Sequence, residues 1–158
     1  MDFGFSPIGA VYIAMLLIPN ILWTKNLPEG YEESKAKENR VLVAFERTGQ
    51  VLVTFFSAAS ADIALFPEYP RVLLLAASFL LMVLYEIFWV KYFRSERRLE
   101  DLYGSILFIP AAGAVLPVLS FLLLSIYGRN IYLLVSVIIL GIGHIGIHAS
   151  HIKELRHD

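Results

Sequence analysis

The sequence predicts an all-α, polytopic integral membrane bundle of about five transmembrane helices, with the N-terminus outside and the C-terminus in the cytoplasm. Apolar residues make up 58% of the chain, above the roughly 45–50% of soluble domains. They gather in blocks of about 20 residues, the length that a helix needs to cross the hydrocarbon core. Lys and Arg concentrate between alternate blocks. The 158 residues are predicted to form one transmembrane domain, 1–158.

The order of apolar and polar residues predicts five helices and one charged loop. The helices are predicted over about 7–23, 31–66, 72–93, 103–127 and 131–152, and the cytoplasmic loop over 24–40. Pro7 fits a first turn, where its missing N–H breaks no bond. Pro19 is expected to bend or end the first helix near Asn20. Glu33 and Lys37 are four residues apart, a spacing that favours a helix beginning before the chain enters the membrane.

Prolines, aromatic residues and tight turns bound the later helices. A proline-bounded turn at 66–70 separates the second and third helices. Aromatic residues within 89–93 are expected to form an interfacial belt at the end of the third. Pro110 and Pro117 lie seven residues apart, so we expect them to kink the fourth helix twice on one face. A tight turn at 128–130 leads into the fifth helix.

The positive charges predict the orientation. Eleven of the 13 Lys and Arg residues lie in segments expected to be cytoplasmic, and only Arg71 and Arg129 lie outside. This asymmetry in short loops sets the direction of insertion. We therefore expect a multi-pass protein of the plasma (inner) membrane, with the lipid bilayer as its first partner.

Several classes of site are not supported by any motif. The chain has no cysteine, so a disulfide framework and thiolate metal ligands are excluded. It has no glycine-rich phosphate loop, no Walker lysine and no G-x-S-x-G elbow, and no cofactor-binding residues are predicted. Nothing in the sequence indicates nucleic-acid binding.

Polar residues inside the apolar segments point to a functional layer. An ionised side chain at the centre of a transmembrane helix costs roughly 2.5–3.5 kcal/mol, so such residues are rare. With a rise of about 1.5 Å per residue, four helices bring polar groups to a similar depth in the cytoplasmic half of the membrane. These residues are Asn20 on the first helix, Glu46 on the second, Glu86 on the third, and His144 and His148 on the fifth. Asp62 is the exception, near the outer end of the second helix.

Helical spacing predicts which of these side chains face each other. Glu46 and Gln50 share one stripe, and His144, His148 and His151 follow at i, i+4 and i+7. The simplest packing turns both stripes inward, toward Glu86. Close helix approach is expected at two small residues of the fifth helix. These are Gly143 and Gly146.

The histidine and carboxyl groups allow two interpretations. His144, His148 and His151 could hold zinc or non-haem iron, because imidazoles at i and i+4 chelate one ion. Glu46 and Glu86 would then be further ligands, general acid/base groups or proton carriers. Alternatively, the histidines are favoured by the helix C-terminus and the carboxyls only join helices. His157, near the end of the chain, is expected to lie among the headgroups.

Three functions remain open from the sequence. The first is a metal-dependent membrane enzyme whose lipid or small apolar substrate enters past the kinked fourth helix. The second is a proton-coupled transporter or channel with Glu46, Glu86 and His144 as a relay. The third is a non-catalytic scaffold or accessory subunit. Few polar residues lie toward the outer side, which favours a site open on one side over a pore.

Overall fold

The computed structural model describes residues 2–65 and 69–155, and these form helices without a named strand. The helices are α1 (Pro7–Trp23), α2 (Tyr31–Lys35), α3 (Arg40–Ala58), α4 (Arg71–Arg94), α5 (Leu99–Leu102), α6 (Ala112–Tyr127) and α7 (Ile131–Leu155). The predicted all-α class is confirmed. Phe66 and His157, on which sequence predictions fell, lie outside the described residues.

The five longer helices form a closed ring. α1 contacts α3 and α4, α3 packs on α7, α7 packs on α6, and α6 packs on α4. Neighbours in this ring are therefore not always neighbours in the sequence. The short helices α2 and α5 contribute side chains to one end of the ring, which we call the α2 end.

The outward faces of the ring suit a lipid environment. Within residues 2–65 and 69–155, three helices are long and apolar enough to cross a membrane, namely α3, α4 and α7, and α1 and α6 are shorter apolar helices. Along α7, apolar side chains at helical spacing are 49–59% exposed. They are Ile131, Val135, Ile138 and Ile142. A continuous apolar stripe of this kind is unfavourable in water and stable against lipid tails.

The predicted second helix differs from the structure at both ends. It is divided into α2 and α3, because the side chain of Asn39 accepts a hydrogen bond from the backbone N–H of Val41 and begins a new helix. α3 ends at Ala58, not near residue 66. At this end the backbone N–H of Ser6 donates to the carbonyl of Ala58 at 2.9 Å. The N-terminal segment therefore supplies the hydrogen bond that a further helical turn would have given to this carbonyl.

The predicted fourth helix starts nine residues late, at Ala112. Pro110 disfavours helical backbone at Ile109, and Ile106 and Ile109 instead exchange backbone hydrogen bonds in a tight turn. Ala111 has a left-handed φ of 47°. Only Pro117 lies inside α6, so the prediction of two kinks within this helix is wrong. The first helix continues through Pro19 to Trp23.

The end of the ring opposite α2 is closed by hydrogen bonds between loops and helix ends. Ser6 Oγ donates to the carbonyl of Ile63 at 2.7 Å. Tyr127 Oη donates to the carbonyl of Ala64 at 2.6 Å, and Arg71 Nε donates to the carbonyl of Tyr127 at 2.8 Å. These contacts link the N-terminal segment, the loop after α3 and the start of α4 to the end of α6.

Candidate functional site: a cavity inside the helix ring

A cavity of about 340 Å³ lies inside the ring and is lined by all five longer helices. Its volume falls within the roughly 300–1,000 Å³ of small-molecule pockets. Most of the lining is apolar or aromatic, with one side chain or more from every helix of the ring. Examples are Leu16, Val53, Phe88, Phe121 and Leu140. Tyr31 and Tyr103 line it at the α2 end.

Glu46 of α3 and His144 of α7 form the polar centre of this cavity. Glu46 Oε1 lies 2.5 Å from His144 Nδ1, and the two side chains are only 13% and 22% exposed. Because a carboxylate accepts and does not donate, His144 Nδ1–H is the donor. In the neutral ring, this leaves Nε2 as an acceptor and a proton-accepting base.

Two glycines bring α3 and α7 close enough for this contact. A Cβ atom added at Gly143 would lie 2.2 Å from the backbone nitrogen of Glu46. A Cβ added at Gly49 would lie 2.4 Å from the Cα atom of Leu140. Backbone therefore touches backbone at both positions, as predicted for Gly143.

His148 lies beside the pair with one ring nitrogen unsatisfied. Its ring centroid is 4.7 Å from that of His144 and 5.2 Å from that of Tyr103. Its Nδ1 is buried and has no hydrogen-bond partner among the described residues. An unsatisfied buried polar atom costs about 1–3 kcal/mol, so His148 Nδ1 is suited to bind a polar atom that enters the cavity.

Asn20 and Gln50 also line the cavity, as the sequence predicts. Asn20 Nδ2 donates to the carbonyl of Leu16 at 2.6 Å and to Tyr85 Oη at 2.8 Å. Gln50 Oε1 accepts a long hydrogen bond of 3.4 Å from Arg47 Nη1. Polar side chains from α1, α3 and α7 thus meet at one cavity.

Glu86 does not join this group. It is half-buried, and it is not among the residues that line the cavity. Its neighbour Tyr85 does line the cavity, and adjacent helical residues point about 100° apart. Glu86 Oε1 is itself buried without a hydrogen-bond partner among the described residues, and the convergence predicted for Glu46 and Glu86 stays a prediction. Asp62 lies near the closed end, where its carboxylate accepts from the backbone N–H of Asp2 at 3.0 Å.

His151 belongs to a separate cluster that holds α2 against α7. Its Nε2 lies 3.2 Å from Glu38 Oε1, and its Nδ1 lies 2.7 Å from Ser34 Oγ. The neutral ring can donate to Glu38 and accept from Ser34 at the same time. The ring also stacks on Tyr103 with centroids 4.9 Å apart, and it is only 3% exposed. We call Ser34, Glu38 and His151 the α2 latch.

The donor set does not fit the predicted metal centre. The described residues contain no group of three or more His, Asp or Glu side chains placed to hold one metal ion. His144 is turned to Glu46, and His151 is turned to the α2 latch. The shared helical face of the three histidines is real, but their ring nitrogens serve different partners.

Sequence reasoning missed the residues of the α2 end. Ser34 and Glu38 fall in the predicted cytoplasmic loop 24–40, and Tyr31 and Tyr103 carry no motif. Burial, with nearby Glu38 and Glu46, raises the pKa of Tyr31 to about 12, so this hydroxyl stays protonated at neutral pH. Only the aromatic content of the segments around α2 and α5 hinted at packing there.

Comparison with known proteins does not assign this site. No family model, curated protein or solved structure matches the chain. The chemistry of the cavity itself must therefore carry the functional argument.

Breaking the α2 latch is expected to expose the cavity. The His151→Phe change keeps an aromatic ring against Tyr103 but removes both hydrogen bonds of the latch. Because each of the two bonds contributes about 1 kcal/mol, opening should increase about thirtyfold. The chain has no cysteine, so Thr54→Cys in the cavity lining would be the sole thiol. The rate at which this cysteine reacts with a charged thiosulfonate measures how readily the cavity opens.

The exposed Lys37→Gln change on the segment after α2 is the control for this experiment. It should leave the labelling rate of Thr54→Cys unchanged. Equal rates in His151→Phe and the parent would show that the latch does not close the cavity.

Proposed function

We propose that this chain is a five-span protein of the plasma membrane that binds a small apolar molecule or lipid in its central cavity and transfers protons to and from it. The α2 end faces the cytoplasm and the N-terminus lies outside. The observation that carries this proposal is the unsatisfied Nδ1 of His148, buried beside the Glu46–His144 pair at a cavity with a mostly apolar lining.

The Glu46–His144 pair has the arrangement of a general base. Glu46 orients the imidazole and stabilises its protonated form, which is the role of the carboxylate in a carboxylate–histidine pair. His144 Nε2 can accept a proton from a bound molecule and return it. In hydrolysis it would take the proton of a water whose oxygen adds to the bound molecule, and it would give that proton to the leaving group as its bond to the molecule breaks. His148 Nδ1 can hold a polar atom of the reacting group, so the supported reactions are proton transfer and hydrolysis.

The packing favours a one-sided cavity over a pore. Beyond the cavity, Ser78 Oγ and Ser120 Oγ each donate to the other residue's carbonyl, at 2.8 and 2.9 Å. This exchange satisfies both hydroxyls between α4 and α6. Glu86, one member of the relay that a proton-coupled transporter would need, does not line the cavity.

The proposed orientation can be tested with single cysteines, since the chain has none. We expect an impermeant maleimide to label Arg129→Cys on intact cells. Lys37→Cys, on the α2 end, should react only after the membrane is permeabilised. Both parent side chains are exposed. The reverse pattern would place the cavity mouth on the outer side and contradict the proposal.

Binding can be followed with the two tryptophans of the chain. Trp23 and Trp89 are its only tryptophans, and both line the cavity. In nanodiscs, 1-bromonaphthalene should quench their fluorescence with a saturable component, because a bromine atom in the cavity lies close to both indoles. Quenching from probe dissolved in lipid rises linearly and can be subtracted.

A matched pair of substitutions on α3 locates the binding site. Val53 lines the cavity and is 1% exposed, whereas Val51 faces outward and is 69% exposed. Val53→Phe should fill part of the cavity and weaken saturable quenching at least about tenfold, while Val51→Phe leaves it unchanged. Saturable quenching that is absent in the parent, or equal in all three proteins, would overturn the proposed binding function.

A further inference from the structure

We infer that the wall formed by α1 and α4 is a subsite for a hydroxyl group on the bound molecule. This inference rests on the proposed binding function and adds the chemical class of the ligand. The subsite comprises Asn20, Trp23, Tyr85 and Trp89, all of which line the cavity. It is distinct from the acid–base pair, which belongs to α3 and α7.

The orientation of the Asn20 amide follows from its partners. The carbonyl of Leu16 can only accept a hydrogen bond, so the amide atom 2.6 Å from it is Nδ2. The second hydrogen of Nδ2 goes to Tyr85 Oη at 2.8 Å. Asn20 Oδ1 is left as an acceptor, and it receives no hydrogen bond from the described residues. A ligand that donates a hydrogen bond would satisfy this oxygen.

Two indole N–H donors lie in the same cluster. The Trp23 and Trp89 rings are 6.4 Å apart between centroids, and the Trp89 ring is 6.1 Å from that of Tyr85. Both Nε1 atoms are buried and make no hydrogen bond of normal geometry with the described residues. Their polar neighbours are the hydroxyls of Tyr92 and Tyr85. The indoles therefore supply the apolar face of the subsite, and Asn20 Oδ1 is its polar atom.

A hydroxyl is the simplest group on an apolar molecule that meets this requirement. Its O–H group donates a hydrogen bond to Asn20 Oδ1. A ketone or an ether can only accept, so it would leave Asn20 Oδ1 unsatisfied. The cavity should therefore select an apolar molecule with a hydroxyl group over its ether or ketone analogue.

Two probes of nearly equal shape test this selection. The probes are 6-bromo-2-naphthol and 6-bromo-2-methoxynaphthalene, which differ in the ability to donate a hydrogen bond. Each dissociation constant is taken from saturable tryptophan quenching in nanodiscs and referred to the concentration of probe in the lipid. We expect the naphthol to bind about five- to tenfold more tightly in the parent, as for one satisfied hydrogen bond.

The Asn20→Leu variant completes the test. It removes the acceptor at nearly constant volume, so the preference for the naphthol should fall to near one while the ether still binds. The ether thus reports whether the variant is folded. Equal affinity of both probes in the parent would overturn the subsite without any variant, and so would a preference that survives Asn20→Leu. Saturable quenching by neither probe would instead remove the binding function on which the subsite rests.

Discussion

Replacing Gly143 by alanine is expected to destabilise the bundle by about 3 kcal/mol or more. The added methyl carbon would lie 2.2 Å from the backbone nitrogen of Glu46 and 2.6 Å from the carbonyl oxygen of Leu42. Neither atom can move without shifting the whole of α3, so the two helices must separate. Overpacking that a side chain can relieve costs typically 1–3 kcal/mol, and here a backbone must yield. The Glu46–His144 contact should be lost with the close approach.

Gly146→Ala is the matched control, since it adds the same methyl group to the same helix. Its Cβ would meet only the end of the Leu42 side chain, at 3.1 Å. That side chain can adjust, and alanine favours a helix over glycine by roughly 1 kcal/mol. Unfolding by sodium dodecyl sulfate in mixed micelles, followed by circular dichroism, should show a large loss for Gly143→Ala and little change for Gly146→Ala. Equal losses would contradict the observed helix contact.

The second large effect is expected from separating Glu46 and His144. Glu46→Leu removes the acceptor and leaves His144 Nδ1 without its 2.5 Å partner. Hydrogen bonds to charged groups contribute about 1.5–3 kcal/mol, and an orphaned buried group adds its desolvation cost. The double change Glu46→Leu with His144→Leu should recover much of this loss, because both polar groups are then gone.

A double-mutant cycle in the same unfolding assay measures this coupling. We expect a coupling free energy of at least about 1.5 kcal/mol between Glu46 and His144. Gln50→Leu, one turn further along α3, serves as the control, since its long bond to Arg47 predicts little coupling to His144. A Glu46–His144 coupling below about 0.5 kcal/mol would show that the pair is not formed in the membrane.

The inward faces of α3 and α7 could be predicted from sequence because each carries several polar residues at helical spacing. Glu46 with Gln50, and His144 with His148, define a direction on an otherwise apolar surface. Gly143 marks the contact between the two helices. These signals agree with each other, and the structure places both stripes on one cavity.

The rotation of α4 could not be predicted in the same way. This helix is apolar around most of its circumference, and Glu86 is the only acidic or basic residue deep within it. That single charge indicated an inward face, whereas the side chains of Tyr85 and Trp89 are the ones that line the cavity beside it. Their hydrogen-bonding ends make them compatible with a cavity wall, and only the tertiary packing reveals it.

The α2 latch was beyond sequence reasoning for another reason. Glu38 and His151 are 113 residues apart, and no local pattern links a charged loop to the end of the last helix. Because the ring of His151 is hydrogen-bonded to Glu38, it is unsuited to a metal site with His144. Helical spacing places side chains on a common face, whereas the partner of each ring nitrogen depends on which elements pack against that face.

The most direct test of the account is ¹⁵N nuclear magnetic resonance of histidine-labelled protein in nanodiscs, before and after saturation with 6-bromo-2-naphthol. The chain has four histidines, and the His148→Phe variant assigns the His148 resonances by their loss. We predict that the Nδ1 resonance of His148 shifts when the probe enters the cavity, while the resonances of latched His151 remain in place. Saturable tryptophan quenching without any change at His148 would contradict a cavity in which the bound molecule lies beside this imidazole ring.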